Sequence, residues 1–283
     1  MKIEARSLSK RFSRVWALVD ISFSVDESIV AILGPNGSGK TTLLTILAGL
    51  RYPSSGRVTV NGIEPYVERD KAANMISFLF EKPRFNLSIR VKDLMEIVMD
   101  ERNCFDEARE YAQKLGIHEF SEARLSELSF GQAQLVGLWS SLACWKGVVL
   151  LDEPFAHLDP RRAGVLIDIM REKGNVVFAT HNLEEAEFVA DYIIILDRGR
   201  LTWAGSKREL FSHNVFEVYP MDYKEKVIGL LESNECRVVA DMGSTLLVAD
   251  CDSGFLAKLL DEGYVIGFRR AGVRSIYASS QKT

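Results

Sequence analysis

One stretch of eight residues constrains this chain more than any other: Gly34-Pro35-Asn36-Gly37-Ser38-Gly39-Lys40-Thr41. It matches G-x-x-x-x-G-K-[ST]. It lies between a continuously apolar run, Ile29-Val30-Ala31-Ile32-Leu33, and the helical pattern Leu43-Leu44-Ile46-Leu47. Buried strand, glycine turn, then helix is the context this motif requires. Glycines let the backbone bend so that several N–H groups point at one phosphate chain. The helix start adds partial positive charge at the same place. Lys40 contributes a full charge toward the outer phosphates, and the Thr41 hydroxyl is a hard oxygen ligand suited to Mg²⁺. These eight residues and Thr42 are the expected nucleotide-binding loop, with a nucleotide polyphosphate and Mg²⁺ as expected ligands.

The rest of the chain fits around that loop. Lys2 to Val25 alternate apolar and polar residues and read as strands of an open antiparallel sheet, and Gly56-Arg57-Val58-Thr59-Val60-Asn61-Gly62 reads as another edge strand. From Val91 to Trp145 the spacing is helical. Two more apolar strands follow, Val148 to Leu151 and Val176 to Ala179, with a helix between them. Strands alternating with helices predict a mainly parallel, three-layer α/β core. The expected fold class is therefore α/β: a P-loop NTPase core carrying an antiparallel β subdomain and a helical subdomain at about 88–145. The pattern changes near Phe211 to Asn214. Beyond it the order is strand, helix, strand, turn at Met242-Gly243-Ser244, strand, helix and one or two final strands, which fits a small split-βαβ domain. The expected division is 1–211 for the nucleotide-binding domain and 215–283 for a small α+β accessory domain.

Composition closes off other classes. The net charge is -4 and no long basic run is present, so nucleic acid is not an expected partner. No apolar run approaches the roughly 20 residues of a membrane helix, and the N-terminus lacks the apolar segment of a signal peptide. Any membrane role is expected to come through a partner, with the chain on the cytoplasmic face. Cys104, Cys144, Cys236 and Cys251 are far apart and form no C-x-x-C pair, so they are expected to be reduced.

A second chemical signal is Val148-Val149-Leu150-Leu151-Asp152-Glu153, an apolar strand ending in two carboxylates. Asp152 is expected to hold Mg²⁺ and Glu153 to polarise the attacking water, because phosphoryl transfer depends on positioning and charge. A third is Leu128-Ser129-Phe130-Gly131-Gln132 ahead of a helix.

With this third motif the chain resembles the ATP-binding-cassette (ABC) ATPases, whose signature reads LSGGQ. The family's remaining landmarks occur in order: Leu158-Asp159-Pro160 after the carboxylates, then Thr180-His181 at the end of the next strand. The resemblance runs from Lys2 to about Gly205 and implies specific roles. Ser129, Gly131 and Gln132 serve the nucleotide of a second subunit, so ATP is sandwiched in a homodimer or a cassette heterodimer. His181 senses the γ-phosphate. An aromatic residue ahead of the loop stacks on adenine; Phe12 fits best and Trp16 is the alternative. The family implies an ATPase that energises transport through a separate transmembrane permease, docked near Glu81 to Leu87. The single cassette with an appended small domain resembles exporters with separately encoded membrane subunits. A soluble cassette ATPase acting on nucleic acid, ribosomes or cofactor assembly is the competing reading. It lacks the expected tandem cassettes, coiled-coil insertions or basic arms.

Three positions depart from the family. Glu81 stands where a Gln usually meets Mg²⁺ and water, so it is read as a metal ligand that brings extra negative charge. Phe130 replaces one glycine of the signature, and Leu135 stands where an Arg is common, leaving one polar contact of that helix without its donor.

Overall fold

The structure is a computed structural model that describes residues 1–207, 215–221, 224–241 and 244–272. An antiparallel sheet opens the chain, with β1 (Lys2–Phe12) paired to both β2 (Val15–Asp26) and β4 (Ser55–Val60). Strand β3 (Ile29–Leu33) begins the central sheet and is buried on both faces. Ile29, Ala31 and Leu33 pack into one hydrophobic cluster, while Val30 and Ile32 pack into the other. This two-sided burial is why the strand reads as an unbroken apolar run.

The glycine turn leads from β3 into α1 (Lys40–Leu47). Then come α2 (Arg69–Met75) and β5 (Ile76–Leu79), followed by a helical region of α3 (Val91–Arg102), α4 (Asp106–Lys114) and α5 (Phe130–Leu142). Strand β6 (Val148–Asp152), α6 (Pro160–Lys173), β7 (Val176–Thr180), α7 (Leu183–Val189), β8 (Tyr192–Asp197) and β9 (Arg200–Ser206) complete this part. The central sheet has the order β5-β6-β7-β3-β8-β9, parallel except for the β8–β9 pair. The glycine turn and the ends of β6 and β7 therefore meet at one edge, the carboxyl ends of parallel strands, where α/β sheets place their ligands.

The last described elements are β10 (Phe216–Pro220), α8 (Lys224–Ser233), β11 (Arg237–Asp241), β12 (Leu246–Ala249), α9 (Ser253–Asp261) and β13 (Val265–Arg270). They form an antiparallel sheet of order β11-β12-β10-β13 with their own hydrophobic cluster. This is the split-βαβ arrangement. The boundary expected near Phe211 to Asn214, the turn residues Met242 and Gly243, and everything after 272 lie outside the described residues.

The cysteines differ from expectation. Cys104 is joined to Cys144, 40 positions on, and Cys236 to Cys251, 15 positions on. The first pair links the α3–α4 turn to the end of α5. The second links the residue before β11 to one just after β12. No sequence spacing reveals such pairs, because folding brings the turns together. Among the described residues no helix is long and apolar enough to cross a membrane.

Candidate active site

The glycine turn is held by conformation and close approach. Gly39 has φ +106°, and a Cβ there would lie 2.6 Å from the Ala17 carbonyl oxygen. Only glycine fits that left-handed, crowded position. Lys40 is buried and donates from Nζ to the carbonyls of Gly34 at 2.9 Å and Pro35 at 3.3 Å. Its ammonium also stands 3.5 Å from Glu153 Oε1. The buried Ser38 hydroxyl has no hydrogen-bond partner among the described residues. An unpaired buried hydroxyl in a turn with a buried ammonium makes a polar cradle suited to an anion. The donor set fits a polyphosphate.

Two carboxylates face this cradle from the end of β6. Asp152 is buried, and the Thr41 hydroxyl donates to its Oδ2 at 2.7 Å. Burial pushes the Asp152 carboxyl above the usual aspartate range. The Thr41 hydrogen bond opposes the shift, and the charges of Glu153 and Glu81 add to it. Glu153 adopts φ +49°, in the left-handed region that costs a non-glycine residue energy, and its N–H is anchored on the Ala179 carbonyl at 3.0 Å. Its side chain reaches His181 Nδ1 at 2.9 Å. Lys40, Glu153 and His181 thus form one chain of polar contacts across the carboxyl edge of the sheet.

A cavity of about 290 Å³ lies over these groups, lined by Asn36, Gly37, Gly39, Lys40, Thr41, Thr42, Glu81, Asp152 and Glu153 among others. Glu81 is half exposed and lies 3.5 Å from Lys82 Nζ. Thr41, Asp152 and Glu81 bring hard oxygen donors to one mouth, a set that fits a magnesium ion. Phe12 and Trp16 lie outside the cavity lining. Lys10 and Arg51 each stand 5.2 Å from the Phe12 ring centre, and Arg11 stands 5.6 Å from that of Trp16. A larger cleft of about 570 Å³, between the start of α7 and the C-terminal sheet, includes Glu187, Glu217 and Arg269 but no residue of the glycine turn.

The signature residues stand elsewhere, at the start of α5. The Ser129 side chain accepts the Gln132 N–H at 3.3 Å, and Gln132 Oε1 accepts the Ser129 N–H at 3.0 Å. This reciprocal cap fixes the helix start. Ser129 and Phe130 are exposed and Gly131 is half-buried, so this end of the helix faces outward. Leu135 is buried in the core, which explains an apolar residue at that position.

Two contributors escape sequence reasoning. Buried Gln134 on α5 donates to the carbonyls of Glu153 at 3.4 Å and Pro154 at 3.3 Å, tying the signature helix to the carboxylate turn. Glu185 on α7 accepts the Thr180 hydroxyl at 2.5 Å. A buried glutamine within an otherwise apolar helix face was the only signal for Gln134. Glu185 sits between two other glutamates, Glu184 and Glu187, in its segment and carries none.

Known proteins add to this geometry. The sequence profile of the ABC transporter family matches residues 18–156. The uncharacterised ABC transporter ATP-binding protein YxlF of Bacillus subtilis is 33% identical over 239 residues, covering 81% of this chain and 79% of that protein. A probable sulfate/thiosulfate import ATP-binding protein, CysA of Chlorella vulgaris, is 34% identical over 224 residues, covering 75% of this chain and 94% of that protein. Among solved structures, the dimeric post-hydrolysis state of the cassette MJ0796 bound to ADP and Pi has a TM-score of 0.60 at 25% identity. It covers 73% of this chain and 99% of that one. The structure of an ATP-binding subunit of an ABC transporter, at TM-score 0.67 and 23% identity, shares the fold over 75% of this chain and 92% of its own. These relatives do not favour the soluble-cassette reading. With the glycine turn, the paired carboxylates and the capped signature helix in place, the chain belongs to the ATP-binding subunits of ABC transporters, the ATPases that energise transport.

Proposed function

We propose that this chain hydrolyses ATP as one half of a cassette pair on the cytoplasmic face of a membrane, driving a transmembrane permease. The observation that carries the reading is the convergence of Lys40, Thr41, Asp152, Glu153 and His181 at one edge of the central sheet. The backbone from Gly34 to Gly39 and the side chains of Lys40, Thr41 and Thr42 bind the phosphates. Thr41, Asp152 and Glu81 would hold Mg²⁺, which when bound would neutralise phosphate charge. Glu153 accepts a proton from the attacking water as the general base. His181 contacts the γ-phosphate and orients Glu153 through their shared hydrogen bond. Phe12 stacks on adenine.

The signature residues act across the pair. Ser129, Gly131 and Gln132 face outward from α5 and complete the partner's nucleotide site. ATP then bridges two subunits, and loss of the γ-phosphate removes the bridge, which shifts the population from closed to open.

A shallow groove supports the permease reading. Pro83, Phe85, Leu125, Leu128 and Phe130 line a hollow of about 210 Å³ between the loop after β5 and the signature helix. Phe80 and Leu87, in the same loop after β5, are exposed, whereas Phe85 packs partly against the core. Exposed apolar residues grouped in this way fit a protein partner.

Affinity purification from detergent-solubilised membranes of the native host tests the proposal. A multi-helix membrane protein should co-purify and should raise ATP turnover when reconstituted with this chain. Recovery of the chain only with ribosomes, or with no membrane protein, contradicts it.

A further inference from the structure

Thr180, the last residue of β7, is fully buried. Its carbonyl accepts the Gly34 N–H at 3.3 Å, at the entry to the glycine turn. Its hydroxyl accepts the Asn182 N–H at 3.0 Å and donates to Glu185 Oε2 at 2.5 Å. The other Glu185 oxygen accepts Asn182 Nδ2 at 3.2 Å. Asn182 in turn caps α7 by accepting the Glu184 N–H at 2.9 Å.

His181 lies between these two residues. Its side chain is 61% exposed, and among the described residues the one side-chain contact that aims it is Nδ1 against Glu153 Oε2 at 2.9 Å. An exposed imidazole has several rotamers open to it. Its direction is set by the backbone turn that carries it, and both flanking residues of that turn are bound by the Glu185 carboxylate.

Glu185 is also a costly residue to place here. Burial pushes its carboxyl above the usual glutamate range. The Thr180 hydroxyl opposes that shift and the Glu153 charge adds to it. A glutamate serving only the dipole of α7 would be equally useful in water, as Glu184 one position earlier already is. We propose that Glu185 is a positioning residue for His181: it locks the Thr180–Asn182 turn so that the imidazole meets Glu153 at the phosphate cavity. The inference rests on the role given to His181 above.

Turnover and ATP affinity of the full chain test it in Glu185→Ala, Glu185→Gln, Thr180→Val, His181→Ala and the double variant His181→Ala/Glu185→Ala, with thermal melts as a check on folding. Glu185→Ala should lower kcat by about tenfold while ATP affinity stays within about twofold, the pattern of a group that matters only at the chemical step. Glu185→Gln keeps an oxygen that accepts the Thr180 hydroxyl and should recover most of the rate. Thr180→Val, which keeps shape but loses the hydroxyl, should match Glu185→Ala. The double variant should be no slower than His181→Ala, because the two residues act as one unit. Should Glu185→Ala not fold, Thr180→Val and Glu185→Gln still decide the matter. Wild-type turnover in folded Glu185→Ala or Thr180→Val beside an inactive His181→Ala overturns the inference and leaves the role of His181 standing. So does a double variant that loses a further factor beyond His181→Ala. Full turnover in His181→Ala sinks that role, and this inference with it.

Discussion

Glu81 brings a third carboxylate to a mouth that already holds Asp152 and Glu153. A neutral amide of the same length would supply an oxygen without the charge. Even with water-like screening, a charge about 4 Å away is worth about 1 kcal/mol, or roughly fivefold in a rate. Glu81→Gln should therefore raise ATP turnover several-fold and shift its Mg²⁺ dependence. Superimposable Mg²⁺ titrations of wild type and variant would return Glu81 to a solvated loop residue. At this scale the sequence was legible where chemistry is local. Lys40, Thr41, Asp152, Glu153 and His181 each stand at the end of an apolar strand or within a glycine motif, so neighbours in sequence announce them. Gln134 and Glu185 were hidden because their partners are carbonyls and hydroxyls brought in from other elements, and a polar residue in a helix gives no sign of what it will meet.

The signature helix α5 shows how one element is fixed along its length. Its start is closed by the Ser129–Gln132 cap, and its middle by Gln134 on the Glu153–Pro154 turn. Trp139 Nε1 donates to the Ala108 carbonyl at 2.8 Å. Arg102 donates to the carbonyls of Ser140 at 2.8 Å and Ala143 at 2.6 Å, which holds the far end. The Cys104–Cys144 bond joins the same end to the α3–α4 turn. In the chain-entropy view, closing a loop of this length limits the unfolded chain by about 4 kcal/mol. Replacing both cysteines by serine should lower Tm by up to about 10 °C. Mass mapping of the unfolded protein after alkylation without reductant should leave Cys104 and Cys144 unlabelled. Quantitative labelling of all four cysteines, with an unchanged Tm in the serine variant, would contradict this. The helices were readable from their period. The pairing was not, because separations of 40 and 15 acquire meaning only when the turns have met.

On the scale of the whole molecule, the central sheet acts as a frame whose carboxyl edge collects groups from distant parts of the chain. Lys40 follows β3, Glu153 follows β6 and His181 follows β7, yet they lie in one line of contacts. The α/β order and the split-βαβ order were both legible, since alternating strand and helix patterns leave few ways to pack. The edge itself was only implied, because it depends on strand order. The signature end of α5 faces outward, and Ser129, Gly131 and Gln132 are not among the described residues lining the cavity over the glycine turn. Two such subunits, facing head to tail, are what would complete the sites. Glu153→Gln isolates this claim, since it removes the proposed base and leaves the glycine turn and Lys40 intact. Size-exclusion chromatography of that variant with and without ATP, alongside its turnover, is the most direct measurement. Monomer without ATP, dimer with ATP and nearly abolished hydrolysis is the expected result; a monomer in both conditions, hydrolysing at the wild-type rate, would contradict it.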